Sequence, residues 1–265
     1  MLEDGMKTVI VTGASRGIGK AIVEALGQRS DVKTVFALSR AGTDLGLDAS
    51  RARIVYRKLD VTSQSDVDRF AKELDSVDVL IANSGQNLNN ERLSTAEKAE
   101  RTLAVNYYGV KRIVNATLPH MQPGARIVNM SSVASHLRGY SAPIEQRFRA
   151  AQTVEDVDRI AQDYLEAAKS GEPKGWSNPY SVSKALVNAY TAAVAREVDG
   201  IAVNCCCPGW VKTDMGRQIG EPSKSPAEGA RIPLRLAFGD IANTSGGFWE
   251  EPSISSTGEG RVSSW

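Results

Sequence analysis

Cysteine and histidine are scarce in this chain, and their placement excludes several classes of protein. The three cysteines are consecutive, Cys205-Cys206-Cys207, and the two histidines are His120 and His136 in a chain of 265 residues. Adjacent cysteines cannot by themselves build a disulfide framework or a tetrahedral metal cage, and the histidines lack a set of ligand partners, so no metal site is expected. The thiols read as reduced, in a cytoplasmic protein. Charge of one sign is lacking too. The formal net charge is +1 with 24% charged residues, which gives no electrostatic case for nucleic acid or a membrane surface. No apolar run approaches the roughly 18 residues of a membrane span. The start, Met1-Leu2-Glu3-Asp4-Gly5, has neither the basic nor the apolar stretch of a signal peptide. What remains is an ordinary globular composition, 42% hydrophobic, in a chain long enough to bury about three quarters of its unfolded surface.

Apolar β-branched runs alternate with helix-period segments. Strands are predicted at 7–12, 34–39, 53–58, 77–82, 126–130, 200–205 and, briefly, 248–249; helices at 17–28, 63–74 and 95–118. Strand, helix, strand at this rhythm implies an α/β fold: a doubly wound, mostly parallel sheet of Rossmann type in a single domain spanning 1–265. The segment 141–176 breaks the rhythm. Its apolar residues Val154, Val157, Ile160, Ala161, Tyr164, Leu165 and Ala168 recur at helical spacing, so one or two inserted helices are expected, followed by a loop at 171–175. The tail 252–260, rich in Ser and Gly, is expected to be irregular.

Between the first strand and first helix lies Thr12-Gly13-Ala14-Ser15-Arg16-Gly17-Ile18-Gly19. Glycines at 13, 17 and 19 permit a tight turn, close approach of backbone to phosphate oxygens and close helix–strand packing. The helix behind them offers unpaired N–H groups and a positive dipole end. An acidic residue ending the second strand would suit NAD, and an arginine would suit a 2′-phosphate. Here the strand ends Leu38-Ser39-Arg40 and the loop carries Arg16. Two guanidiniums and a hydroxyl favour NADP(H), although Arg40 also reads simply as a surface charge.

Tyr180 and Lys184, in Asn178-Pro179-Tyr180-Ser181-Val182-Ser183-Lys184, stand four apart and share a helix face. A phenol has an unperturbed pKa of about 10, and a neighbouring ammonium is expected to lower it into the working range of a general acid.

Together with Asn83-Ser84-Gly85, Asn106, Ser132 and Pro208-Gly209, these motifs resemble the short-chain dehydrogenase/reductase pattern in order and spacing. The resemblance runs from about residue 7 to 213, with Ser84 where the family usually has alanine. Cys206 to Met215, the insertion before Tyr180 and the ending Arg261-Val262-Ser263-Ser264-Trp265 look like the family's carbonyl reductases. The resemblance implies hydride transfer from NADPH to a ketone or aldehyde. Tyr180 would be the proton donor, Ser132 the group holding the carbonyl oxygen, Lys184 the lysine on phenol and ribose, and Asn106 the anchor of a water relay. Ser131 competes with Ser132, since only one of two neighbours faces the site. Gly13, Ser15, Arg16, Gly17, Ile18, Gly19, Ser39, Arg40, Asp60, Val61, Asn83, Gly85, Pro208, Gly209, Val211 and Thr213 would line the cofactor, Asp60 by accepting from the adenine amino group. Asp60 also reads as a turn residue before a helix.

Trp210 and Met215 would form an apolar, adaptable substrate wall, with Ala134 and Tyr140 opposite. By the same resemblance the insertion covers the surface through which most of the family pairs, implying a monomer. Two other readings are a reductase dedicated to one metabolite and a non-enzymatic dinucleotide sensor. A sensor has no use for a proton donor, so the joint presence of Ser132, Tyr180 and Lys184 argues against it.

Overall fold

The computed structural model describes residues 5–171 and 173–265. The element order is β1 (Lys7–Thr12), α1 (Gly17–Gly27), β2 (Val32–Ser39), β3 (Arg53–Lys58), α2 (Gln64–Ala71), β4 (Val77–Ala82), α3 (Thr95–Asn106), α4 (Tyr108–Thr117), β5 (Met121–Met130), α5 (Ala142–Ala150), α6 (Val154–Lys169), α7 (Pro179–Glu197), β6 (Ala202–Cys206), α8 (Pro226–Gly229), α9 (Arg231–Phe238), β7 (Phe248–Glu250) and β8 (Arg261–Ser263). The strands form one sheet in the order β3-β2-β1-β4-β5-β6-β7-β8. All neighbours are parallel except β7 and β8. The order reverses between β1 and β4, the place where doubly wound sheets bind ligands beyond the carboxyl ends of their strands.

Alternation along the strands creates two cores. Val9 and Val11 of β1 face Ile22, Val23 and Leu26 of α1 and Leu236 of α9. Ile10 points the other way, into a larger cluster with α2, α3, α4, α6 and α7. The predicted doubly wound architecture is therefore present, and the strands predicted at 7–12, 53–58 and 77–82 have those bounds.

Three expectations are corrected. The helix expected over 95–118 is two, α3 and α4, meeting at Tyr107 (φ −106°, ψ −64°). The buried carboxamide of Asn106 turns away to bond the Gln86 backbone, the Tyr107 hydroxyl donates to Asp158 at 2.7 Å, and Gly109 lies tight against Val61. Strand β8 was not predicted: three residues are too few for a period, and it exists because the chain end pairs antiparallel with β7. Helices α8 and α9 were also missed.

The insertion forms two helices, α5 and α6, with α6 started by a reciprocal capping box between Thr153 and Asp156. Val157, Ile160, Ala161, Tyr164 and Ala168 face inward and pack behind α3 and α7. Phe148 of α5 gathers Tyr140, Trp176 and the C-terminal Trp265 in edge-to-face contacts at 5.7–6.4 Å. The residues of the 171–175 loop other than Glu172, which lies outside the described residues like Met1 to Asp4, are irregular as expected. Because Ile160 is buried, Ile160→Ala should lower unfolding free energy by about 2–5 kcal/mol in chemical denaturation. A loss below about 1 kcal/mol would mean that α6 does not bear on the core.

Candidate active site

At the carboxyl edge of the sheet, the β1–α1 loop is shaped by what its glycines exclude. Gly13 and Gly17 have φ of +66° and +55°, values at which a side chain is strained. A Cβ on Gly19 would lie 2.2 Å from the Gly13 carbonyl oxygen. Asn83, at the end of β4, donates to the carbonyls of Thr12 and Gly13 at 2.9 and 3.2 Å, and the Ser84 N–H donates to the Thr12 hydroxyl at 3.0 Å. The loop is thus tied to the neighbouring strand. Helix α1 has no side-chain cap and no acid in its first turn, whereas α2, α3, α6 and α7 are all capped by side chains. Its first amides and positive dipole end suit a phosphate-bearing ligand. Thr213 reaches over this loop, its Cγ2 being 3.0 Å from where a Gly17 Cβ would stand, and Ser15 and Ile18 flank the same turn.

The charged candidates differ in their engagements. Arg40 is exposed at the end of β2, beside Ser39, whose hydroxyl accepts from the Gly42 N–H at 3.0 Å. Arg16 instead pairs with Asp214 at 2.7 Å, on the rim, with side chains 75% and 71% exposed. Asp60 accepts from the N–H and hydroxyl of Thr62 at 2.9 and 2.8 Å, the turn role that its sequence also allowed. Val61 is buried against Gly109.

Tyr180 and Lys184 lie in the first two turns of α7, whose start is set by the Asn178 cap (Oδ1 accepting from the Ser181 N–H at 3.0 Å) and Pro179. The lysine ammonium is buried, donates to the Met130 carbonyl at 2.7 Å and lies 5.7 Å from the Tyr180 ring centroid. Gly85 brings β4 to the same point: a Cβ there would be 3.6 Å from Lys184 Nζ and 3.5 Å from Asn106 Oδ1. Asn106 accepts from the Gln86 N–H at 2.8 Å and donates to the Gln86 carbonyl and the Ser183 hydroxyl, both at 2.9 Å.

Ser132 caps the 3-10 turn Val133–Ser135, accepting from the Ala134 N–H at 3.2 Å. It is half-buried, while the Ser131 hydroxyl points into α7 and donates to Asn188 Oδ1 at 2.5 Å. The pair separates onto opposite faces.

The electrostatics depart from the expectation for Tyr180. Burial pushes the phenol up to about 12, and the Ser132 hydroxyl only partly offsets this. Although the tyrosine retains some solvent contact, its packed surroundings outweigh that contact, and Ser132 opposes the rise by hydrogen bonding to the phenol. Burial also pulls Lys184 down to about 8. All three cysteines are buried and burial raises each thiol, Cys205 to about 12, so Cys207 is a poor thiolate.

Gly209, with φ +85°, leaves room for the buried Lys224 ammonium, which would sit 2.5 Å from a Cβ there and donates to the Pro208 carbonyl at 3.4 Å. Val211 is buried and bridges to Lys224. Trp210 and Met215 line the following loop; the indole N–H donates to the Gly216 carbonyl at 2.9 Å and its ring stacks on Gly220. Ala134 stays at the edge of the site. Tyr140 does not: its ring is buried against Phe148, so the fold directs that expected wall residue into the insertion's core. Sequence reading missed Asp214, Lys224 and Asn188. A usable signal existed for Asn188, which follows Lys184 by the spacing that separates Lys184 from Tyr180.

Residues 7–144 match the short chain dehydrogenase family, and residues 160–247 match the enoyl-(acyl carrier protein) reductase family. The chain belongs to the short-chain dehydrogenase/reductase family. Among curated members it is 32% identical to short-chain dehydrogenase/reductase 1 of Saponaria officinalis, over 92% of this chain and 94% of that protein. It is 33% identical to carbonyl reductase [NADPH] 1 of Bos taurus, over 86% and 90%. Salutaridine reductase of Papaver somniferum superposes with a TM-score of 0.80 at 25% identity, over 91% of this chain and 99% of that one. Menthone neomenthol reductase of Mentha piperita shares the fold at a TM-score of 0.73 and 24% identity, over 92% and 98%. This membership makes the chain an oxidoreductase.

The depressed Lys184 pKa has a stability consequence. The folded chain holds this proton less tightly than the unfolded chain, where lysine titrates near 10.5, so the unfolded state binds more protons between about 8 and 10.5. Stability should therefore rise with pH through that window, and Lys184→Met should remove that part of the slope. Parallel slopes for both proteins in urea titrations at pH 8 and 10 would contradict the assignment.

Proposed function

We propose that the protein is an NADPH-dependent reductase of ketone and aldehyde carbonyls with apolar substituents. The observation that carries this reading is the meeting of Tyr180, Lys184, Ser132 and Gly85 at the edge that the β1–α1 loop also shapes. The relatives named carbonyl reductase [NADPH] support it. When bound, NADPH supplies the hydride. The glycine loop and the open start of α1 would hold its phosphates, Asn83 keeping that loop in place and Gly85, Pro208, Gly209, Val211 and Thr213 lining the rest. Ser39 and the exposed Arg40 at the end of β2 would take the 2′-phosphate, with Arg16 of the glycine loop as a further cation.

The chain's own residues then divide the work. Ser132 donates to the carbonyl oxygen and stabilises charge growing on it. Tyr180 gives its proton to that oxygen as it becomes an alkoxide. A phenol held near 12 is fully protonated at neutral pH, which is the state that reduction requires, and it is still far more acidic than an alcohol. Lys184, fixed on the Met130 carbonyl, holds positive charge near the phenol and would hold the cofactor's ribose. Asn106 keeps the Gln86 backbone and Ser183 in register and supports a proton relay. Trp210, Met215 and Ala134 supply the apolar wall.

A reductase dedicated to one metabolite is the second reading, favoured by the superposition on salutaridine reductase. A panel of ketones, quinones and aldehydes separates the two: comparable kcat/KM across the panel supports the broad enzyme, turnover of one class alone the dedicated one. We also read the protein as cytoplasmic, on its three free cysteines, and as monomeric, because α6 packs against α7; a stable tetramer in sedimentation would overturn the latter.

Tyr180→Phe should lower carbonyl reduction by at least about 100-fold while NADPH binding by fluorescence stays near wild type. Substantial residual turnover would remove Tyr180 from the role of acid. Arg40→Asp should raise KM for NADPH much more than KM for NADH. Equal effects on the two would detach Arg40 from the 2′-phosphate.

A further inference from the structure

Behind Ser132 lies a buried carboxamide that the proposed reaction does not use. Asn188 is 1% exposed and sits on α7 one turn beyond Lys184. Its Oδ1 accepts from the Ser131 hydroxyl at 2.5 Å and from the Cys205 thiol at 3.2 Å, and its Nδ2 donates to the Ser135 hydroxyl at 2.8 Å. Ser131 also approaches the Lys184 carbonyl at 3.4 Å; its single proton goes to the much closer Asn188. Ser131 ends the β5 run, its N–H donating to the Cys206 carbonyl at 2.8 Å. Ser135 closes the 3-10 turn, its N–H donating to the Ser132 carbonyl at 3.0 Å. One side chain therefore grips the backbone segment on both sides of Ser132, from the helix that carries Tyr180 and Lys184.

Burying a carboxamide is costly unless its groups are paired. Its oxygen and its nitrogen each bond a hydroxyl of the segment around Ser132, and a paired buried network of this kind holds geometry rigidly. We propose that Asn188 is the positioning residue for Ser132: it sets the distance and direction of the Ser132 hydroxyl relative to Tyr180, and so acts on turnover through Ser132. This rests on the role given to Ser132 above.

The test is a double-mutant cycle on the full chain, read as kcat for a carbonyl substrate and, separately, as NADPH dissociation constant by fluorescence. Displacing a reacting group by about 1 Å costs up to about 100-fold, so Asn188→Leu should lower kcat by about 10- to 100-fold. Its NADPH dissociation constant should stay within about twofold, because the carboxamide touches none of the residues that line the cofactor. In the Ser132→Ala background the same change should have an effect of less than about threefold, since the group it positions is gone. Ser135→Ala, a smaller deletion at the other end of the grip, provides the same cycle should Asn188→Leu fold poorly; it should lower kcat less, and likewise only while Ser132 is present. An equal loss in the Ser132→Ala background, or a wild-type kcat in both single variants while Ser132→Ala is impaired, would overturn the positioning role alone. Full turnover in Ser132→Ala would remove Ser132 from the reaction and the proposal with it.

Discussion

The structure depends on a seam of buried polar bonds between α7 and the carboxyl end of β5. Three successive turns of the helix contribute: Lys184 donates to the Met130 carbonyl, Asn188 accepts from Ser131, and Thr191 accepts from Asn129 at 3.0 Å. Each bond lies in a low-dielectric interior, where it is strong when made and costly to lose. Apolar packing alone would let a helix slide or rotate on a sheet by small amounts. Directional bonds at three heights fix the phenol and ammonium of α7 against the serine that leaves β5.

Around this seam the other elements act as supports. Helix α3 ends where Asn106 turns to the Gln86 backbone and to Ser183, so the loop after β4 and the first turn of α7 are held by one carboxamide. Asn83 performs the corresponding task for the glycine loop, joining β4 to β1. In each case the short planar amide of an asparagine links segments that sequence separates widely. The same environment explains the electrostatics: burial raises the phenol and the thiols and lowers the amine, because it disfavours charge wherever no counter-charge is adjacent.

The insertion extends the larger core outward. Helix α6 lays Val157, Ile160 and Tyr164 against α3 and α7, and the chain end returns through β8 to place Trp265 against Phe148. Tyr140, which the sequence put beside the substrate, belongs to this aromatic group. Proximity to Ser132 along the chain did not make it part of the pocket, since the 3-10 turn and the following residues swing it towards α5.

Much of the site was legible because its chemistry is local. The glycines of the first loop, the four-residue spacing of Tyr180 and Lys184, and the strand-to-helix rhythm are carried by neighbouring residues, so periodicity and φ requirements reveal them. The sequence by itself thus determined the parallel sheet, the edge where function resides and the family. Tertiary structure alone decided which serine faces α7, that Arg16 meets Asp214 across 198 residues of chain, that Lys184 bonds Met130, that burial raises the phenol, and that Asn188 grips the Ser132 segment. These depend on distances between side chains brought together only when the sheet closes and excludes water, and no local pattern encodes such distances.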